Sequence, residues 1–320
     1  MKNPAGDRKV LHIYQNTPEG SLLFYTVSDF LVYFTVFCVS ARKHGIIVLG
    51  TCPMFDHLHG LYEGESRKEV SGFIGDYTRQ YASLFNHTIG HAGTVFNPGF
   101  GCAVKTGDKS IRTACSYLYN NPGEKGLCKR AQDYRWTFLA YAVSDHPFSD
   151  KIVLSKASRP LRRALKEVDC FRKNDKPLTY IILDRLFHDL DNREKNQLTD
   201  YIISKYNCID YDRLISFYGS YEKMCLAFAS NQGSEYDIDE VFERGNHKVY
   251  PAISSKLVKE FGLKSVKDFF LLSPAAQEDL ARQLFYETNA QDWQIRKYFR
   301  WKKVEPWQVT KQGAQPFRRQ

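Results

Sequence analysis

Two short apolar segments, Ile46-Ile47-Val48-Leu49 and the run from His57 to Tyr62, lie close together with Cys52-Pro53 and Asp56 between them. Apolar runs of that length, bounded by turn residues, pair as antiparallel neighbours, here across the Pro53 to Asp56 turn. Ahead of them, Val10 to Thr17 alternates as a strand does. Ser28 to His44 has helical periodicity, with Ser28 or Asp29 to cap its start and Gly45 to stop it. Strand, helix, strand, strand is the first half of a split β-α-β layer, which restricts the N-terminal part to a small set of sheet topologies.

The pattern continues with a helix over Arg67 to Asn86, whose Val70, Phe73, Ile74, Tyr77, Tyr81, Leu84 and Phe85 share one face. A glycine-rich stretch, Gly90 to Gly107, contains a strand at Gly101 to Lys105. The next helix is expected over Asp108 to Asn120, capped by Asp108 and ended by Pro122-Gly123. From about Ser149 the texture becomes wholly helical, with helices expected at Arg159 to Lys166, Leu178 to Phe187, Asp191 to Tyr206 and Tyr211 to Phe228. Gly233 to Asp237 reads as a loop. This divides the chain into 1–149, a helical domain over 150–303 and a basic tail over 304–320.

Lys and Arg exceed Asp and Glu by nine, and the pI is near 9.0, which favours a polyanionic partner over an acidic small molecule. The longest apolar stretch, Phe30 to Ala41, is flanked by Asp29, Arg42 and Lys43 and is too short to cross a bilayer, so it reads as a buried helix. No membrane partner is expected. Met1 to Asp7 has no hydrophobic signal core, and a cytoplasmic location follows. The eight cysteines contain no C-x-x-C pair, which argues against zinc ribbons and disulfide frameworks.

His57 and His59 are the first residues that carry chemistry. At a spacing of two on a strand both imidazoles point to one face, where they can hold a divalent metal. The pair is not specific alone, since nine histidines in 320 residues give about a quarter of such a pair by chance. Tyr117 and Asn121, four apart on a helix, add a candidate nucleophile and an amide donor on a common face. His87 and His91 form a weaker pair, interrupted by Gly90 and without a nearby Glu base.

In order along the chain stand Leu23-Phe24, Asp29-Phe30, Met54-Phe55-Asp56-His57-Leu58-His59, Tyr81 to Asn86, Gly93-Thr94-Val95-Phe96 and Phe100. Tyr117-Leu118-Tyr119-Asn120-Asn121-Pro122, Gly126-Leu127 and Tyr134-Arg135-Trp136-Thr137 follow. Over roughly residues 8 to 141 this set resembles the REP-associated tyrosine transposases of the single-tyrosine HUH superfamily. The resemblance implies an α+β fold: a ferredoxin-like antiparallel sheet with helices on one face, followed here by an all-α C-terminal domain. It implies a bacterial protein, associated with the nucleoid when bound, that acts on single-stranded or hairpin DNA. Tyr117 falls on the family's nucleophile, His57, His59 and Asn121 on its metal ligands, and Mg2+ or Mn2+ on its cofactor. The family commonly has Asn where this chain has Asp56. That carboxylate orients His57 from behind the metal, joins the ligands, or is simply the turn residue before the strand. Tyr119 is a rival to Tyr117 about 200° around the helix, and only one can face the metal.

Lys105, Lys109, Arg112, Lys125, Lys129 and Arg130 flank the nucleophile helix as candidate phosphate contacts, with a solvated basic face as the alternative. Over 273–303, two short segments with a break at Thr288 to Gln291 read as a helix-turn-helix. Arg296, Lys297 and Arg300 would meet DNA, with Lys302, Lys303 and Arg318-Arg319 adding charge. A plain helical hairpin packing Leu280, Leu284, Ile295 and Phe299 is the competing reading. The expected function is a metal-dependent single-strand DNA endonuclease and strand transferase acting at hairpin or REP-like repeats, as a monomer or homodimer. The alternatives are a replication-initiator or relaxase-like nicking enzyme and a non-catalytic DNA-binding regulator.

Overall fold

The computed structural model describes residues 9–230 and 246–301. The Met1 to Asp7 segment, the Gly233 to Asp237 loop, Lys302, Lys303 and the basic tail lie outside these residues.

Strands β1 (Lys9–Asn16), β2 (Ile47–Pro53), β3 (His57–Gly64) and β4 (Gly101–Lys105) form one antiparallel sheet in the order β2-β3-β1-β4. β3 is antiparallel to both β1 and β2, so β1 and β2 run in the same direction with β3 inserted between them. This is the split β-α-β arrangement expected from the spacing of the apolar runs. The β2–β3 turn is closed by Met54 N–H donating to the His57 carbonyl at 2.9 Å.

The crossover helix α1 (Val27–His44) starts in a capping box. Thr26 is the N-cap, and Asp29 sits at the third helical position rather than at the cap. Gly45, in the left-handed conformation at φ 64°, ends it. From Asp29 to Ala41 every residue of α1 but Val39 is buried, because the helix has the sheet on one side and later helices on the other. α2 (Arg67–Ile89) is capped by Ser66 and ends at Gly90. It packs beside α1, so the two crossover helices share one face of the sheet, as expected.

The opposite face is also covered. α3 (Gly107–Glu124) lies there, an addition that the expectation of helices on one face did not include. Leu11, Ile13, Val48, Leu58 and Tyr62 point towards α1 and α2, whereas Val10, Leu49, Cys52 and Leu61 point towards α3. The N-cap of α3 is Thr106, not Asp108, and Pro122 does not end the helix. A proline removes only its own N–H. Near the helix end, Lys125 N–H reaches the Asn121 carbonyl and Leu127 N–H reaches that of Pro122, so the last turn survives.

The chain passes through short 3-10 turns over 131–142 and then forms α4 (Arg159–Lys173), α5 (Tyr180–Phe187), α6 (Asn192–Tyr206), α7 (Tyr211–Ser216) and α8 (Tyr221–Ser230). α9 (Val249–Lys259), α10 (Pro274–Glu287) and α11 (Asp292–Phe299) complete it. The single helix expected over Tyr211 to Phe228 is therefore two helices. The break falls at Gly219, whose φ of 85° suits glycine.

The helices after residue 150 pack directly on the sheet layer. The hydrophobic cluster that contains Leu11, Phe34 and Tyr77 also contains Leu165, Leu178, Ile202 and Phe299. Asp29 is fully buried and accepts from Tyr25 N–H, Thr26 N–H and the Tyr180 hydroxyl, and it is ion-paired with Lys267. One carboxylate thus ties the start of α1 to two later parts of the chain. Such a group is costly to bury unless it is satisfied in this way.

Candidate active site

β3 presents His57 and His59 to the α3 side of the sheet, with ring centroids 4.9 Å apart. β1 pairs Asn16 with His57 and Tyr14 with His59, which brings His12 onto the same face one strand away. The His12 ring stacks on His59 at 5.6 Å. α3 supplies Tyr117, whose ring meets His59 edge-on at 5.1 Å and His12 at 5.5 Å. One turn later, the Asn121 side-chain NH2 donates to His59 Nε2 at 3.1 Å. The four residues expected to act together, His57, His59, Tyr117 and Asn121, are thus on facing sides of a single β3–α3 contact.

Tyr119 turns the other way. Its hydroxyl donates to the Leu49 carbonyl at 3.1 Å, and its ring stacks on Phe228. A side chain at Gly50 would fall 2.7 Å from that hydroxyl, so the glycine is what admits Tyr119 to the core. Of the two tyrosines, Tyr117 is the one that faces the histidines.

Asp56 is a buried member of the site. Its Oδ1 lies 2.7 Å from His57 Nδ1, and its Oδ2 accepts from Lys297 Nζ at 3.2 Å. His247 Nε2 is 3.9 Å from Oδ1. Burial pushes the Asp56 carboxyl up, but His57, then His247 and Lys297, outweigh it and hold it well below the usual carboxylate range. His247 is itself pushed down to about 4, chiefly by burial. His12 is lowered to about 3 by burial and then by Lys105. His59 is held well below its ordinary value by burial, then by His57, His12 and Lys125. Neutral imidazoles are the form that binds a metal.

The donor set can be tested for such an ion. An amide nitrogen can only donate, so the contact from Asn121 engages the His59 Nε2 lone pair, which becomes available to an ion when the amide turns its Oδ1 towards that ion. Asn121 Oδ1 is buried without a hydrogen-bond partner among the described residues. Asp56 fixes His57 through Nδ1, which frees its Nε2 to face outward from that contact. Two imidazole nitrogens and an amide oxygen suit Mn2+ more closely than the harder Mg2+, which prefers oxygen ligands. Among the described residues no three His, Cys, Asp or Glu side chains converge to hold a metal, so the set depends on the amide.

The basic residues expected at DNA divide into three groups. Lys105 and Lys125 are half-buried and close enough to influence His12 and His59. Lys109 and Lys129 are exposed. Arg112 and Arg130 are exposed but engaged, by the Phe217 carbonyl and Asp133 respectively. His87 and His91 are exposed around Gly90.

The reader helix expected at 273–303 requires correction. α10 and α11 form the helical hairpin that packs Leu280, Leu284, Ile295 and Phe299, and Gln294 to Phe299 are all buried. Arg296 is paired with Asp292, Lys297 with Asp56, and Arg300 donates to the Leu22 carbonyl at 2.6 Å. A recognition helix must leave its side chains free for a groove. α11 instead docks on the N-terminal layer, where the Tyr25 hydroxyl also donates to the Tyr298 carbonyl.

Sequence reasoning missed His12, His247 and the role of Lys297. The alternation of β1 places His12 on the face of Tyr14, but only the register of β1 on β3 brings it to His59. Nothing local marks His247 or Lys297.

No protein-family model and no curated protein sequence matches the chain. Among solved structures it is similar to one of the REP-associated tyrosine transposase bound to a REP hairpin, at 16% identity and a TM-score of 0.38. The match covers 50% of this chain and 96% of the other. No described helix is long and apolar enough to cross a membrane.

Proposed function

We propose that this protein is a metal-dependent single-strand DNA endonuclease and strand transferase with Tyr117 as its nucleophile. The observation that carries the reading is the Tyr117–His59–Asn121 contact, with His57 held beside it by Asp56. His57, His59 and Asn121 would hold a Mg2+ or Mn2+ ion, which when bound draws charge from the oxygens of the scissile phosphate. The Tyr117 oxygen forms a bond to phosphorus and loses its proton, while the bond to the 3′-oxygen breaks and that oxygen takes up a proton. A 5′-phosphotyrosine and a free 3′-hydroxyl result. Attack by another 3′-hydroxyl reverses the step and joins DNA without a nucleotide cofactor.

Tyr117 is only 1% exposed, so a strand reaches it after neighbouring groups move. That burial favours a second reading, a DNA-binding protein whose nuclease site is a relic. Incubation with single-stranded hairpin DNA and Mn2+ separates the two. The enzyme reading expects a denaturation-resistant protein–DNA adduct with wild type and none with Tyr117→Phe. Binding by both without cleavage or adduct across a panel of hairpins would leave the regulator.

A further inference from the structure

We infer that a groove beside α4 binds the phosphate backbone of single-stranded DNA, away from the residues of the candidate active site. This rests on the reading of the protein as a DNA-processing enzyme. α4 is sharply two-faced: Leu161, Ala164, Leu165 and Val168 are buried, and Arg159, Arg162, Arg163 and Lys166 stand at i, i+3, i+4 and i+7 on the exposed side. These four and Lys151 line a groove of about 1080 Å³ between α4, α6 and the segment around residues 145–154.

The charges in the groove are not balanced. Its three carboxylates already have partners. Asp145 accepts from Ser204, Asp169 accepts from the Tyr201 hydroxyl, and Asp189 lies against His188 and Arg163. Among the described residues, Lys151, Arg159, Arg162 and Lys166 have no ion-pair partner. A groove with satisfied acids and unsatisfied bases attracts a polyanion.

The form of the polyanion follows from the rest of the lining. Ile152 and the largely exposed Leu154 border the cations, and apolar side chains beside a row of cations suit a strand whose bases are unpaired. From Arg159 to Lys166 the stripe rises about 10 Å, which matches about three nucleotides of a stacked strand. A small acid would use one or two of these cations and leave the others unpartnered.

The test uses the full chain carrying Arg159→Ala, Arg162→Ala and Lys166→Ala, all at exposed positions, with a melting curve to show that it folds. Binding to a fluorescent single-stranded oligonucleotide is measured by anisotropy between 50 and 200 mM salt, in EDTA so that no cleavage intervenes. The expected result is a loss of ten-fold or more at the low-salt end and a salt slope shallower by about 2 in log–log units. Unchanged affinity and slope would overturn the inference. So would an equal loss for duplex DNA, or a larger loss for a polyglutamate peptide than for DNA. Tyr117→Phe is run beside it. If wild type forms no adduct while the triple variant still loses single-strand binding, the nuclease reading fails and the groove stands.

Discussion

Lys297 Nζ lies 3.2 Å from Asp56 Oδ2, joining α11 to the residue that orients His57 across 241 positions of sequence. Both side chains are about nine-tenths buried. A carboxylate in that position needs a cation, and the His57 ring needs the carboxylate. The C-terminal hairpin therefore sets the geometry of a β3 residue that it does not itself touch through this pair.

A double-mutant cycle measures that dependence. Lys297→Met leaves Asp56 buried without its permanent cation and is expected to cost about 3 kcal/mol in urea denaturation. Asp56→Asn with Lys297→Met should recover much of the loss, because neither charge remains to be desolvated. Additive losses from the two single changes would show that the pair is not coupled.

The two tyrosines of α3 should separate function from stability. Tyr119→Phe removes the hydrogen bond to the Leu49 carbonyl and is expected to destabilise by about 1 kcal/mol while keeping adduct formation. Tyr117→Phe should abolish the adduct while the chain still melts cooperatively. Adduct formation by Tyr117→Phe that is lost in Tyr119→Phe would reassign the nucleophile.

Acid should weaken the fold through its buried histidines. His12 is lowered to about 3 in the folded chain and His247 to about 4, against 6.5 when unfolded. Below pH 6.5 the unfolded state binds the extra protons, so the contribution is whole above 6.5 and falls as pH drops towards the folded values. At pH 4.5 the His12 share is about 2–3 kcal/mol. Neither His12 nitrogen has a hydrogen-bond partner among the described residues. His12→Leu should then flatten the pH dependence of chemical denaturation between 6.5 and 4.5, in EDTA, without weakening the fold at pH 7. An unaltered slope would remove His12 from the account.

A chain ending at residue 149 should not fold as an independent nuclease. It would uncover the outer side of α1, the Asp29 carboxylate now held by Tyr180 and Lys267, and the Thr35 hydroxyl bonded to Leu178. The expected product is aggregated or lacks a cooperative melt, as followed by circular dichroism and gel filtration. A soluble fragment that melts cooperatively would restore an autonomous N-terminal domain.

Much of the N-terminal layer was legible because it depends on short-range physics. The strand at Gly101–Lys105, the stop at Gly45 and the start of α6 beside Asp191 all follow from residues within one turn of the feature, whereas α2 runs three residues beyond the expected Asn86, to Ile89. The facing of His57 with His59, and of Tyr117 with Asn121, follows from the periods of strand and helix. Where local rules competed, they were less decisive. Asp108 looked like a cap but Thr106 takes that position, and Pro122 looked like a terminator but the helix passes through it.

The helix-turn-helix reading failed for a different reason. The residues from Trp293 to Arg300 mix cations with apolar side chains, and that composition fits a DNA reader and a buried hairpin equally well. What separates them is whether a carboxylate waits inside, and Asp56 does so from the far end of the chain.

The sequence by itself determined the strands and helices of the N-terminal layer, the shared faces of the histidine pair and of Tyr117 with Asn121, and the basic character of the whole, because each is set by neighbours in the chain or by composition. Only the tertiary structure decided that His12 joins the histidine pair, that Tyr119 is spent on the Leu49 carbonyl, and that Lys297 serves Asp56 rather than an outside phosphate. These depend on strand register, on which side of the sheet α3 covers, and on where a buried charge finds its partner, none of which is encoded within a single turn or strand.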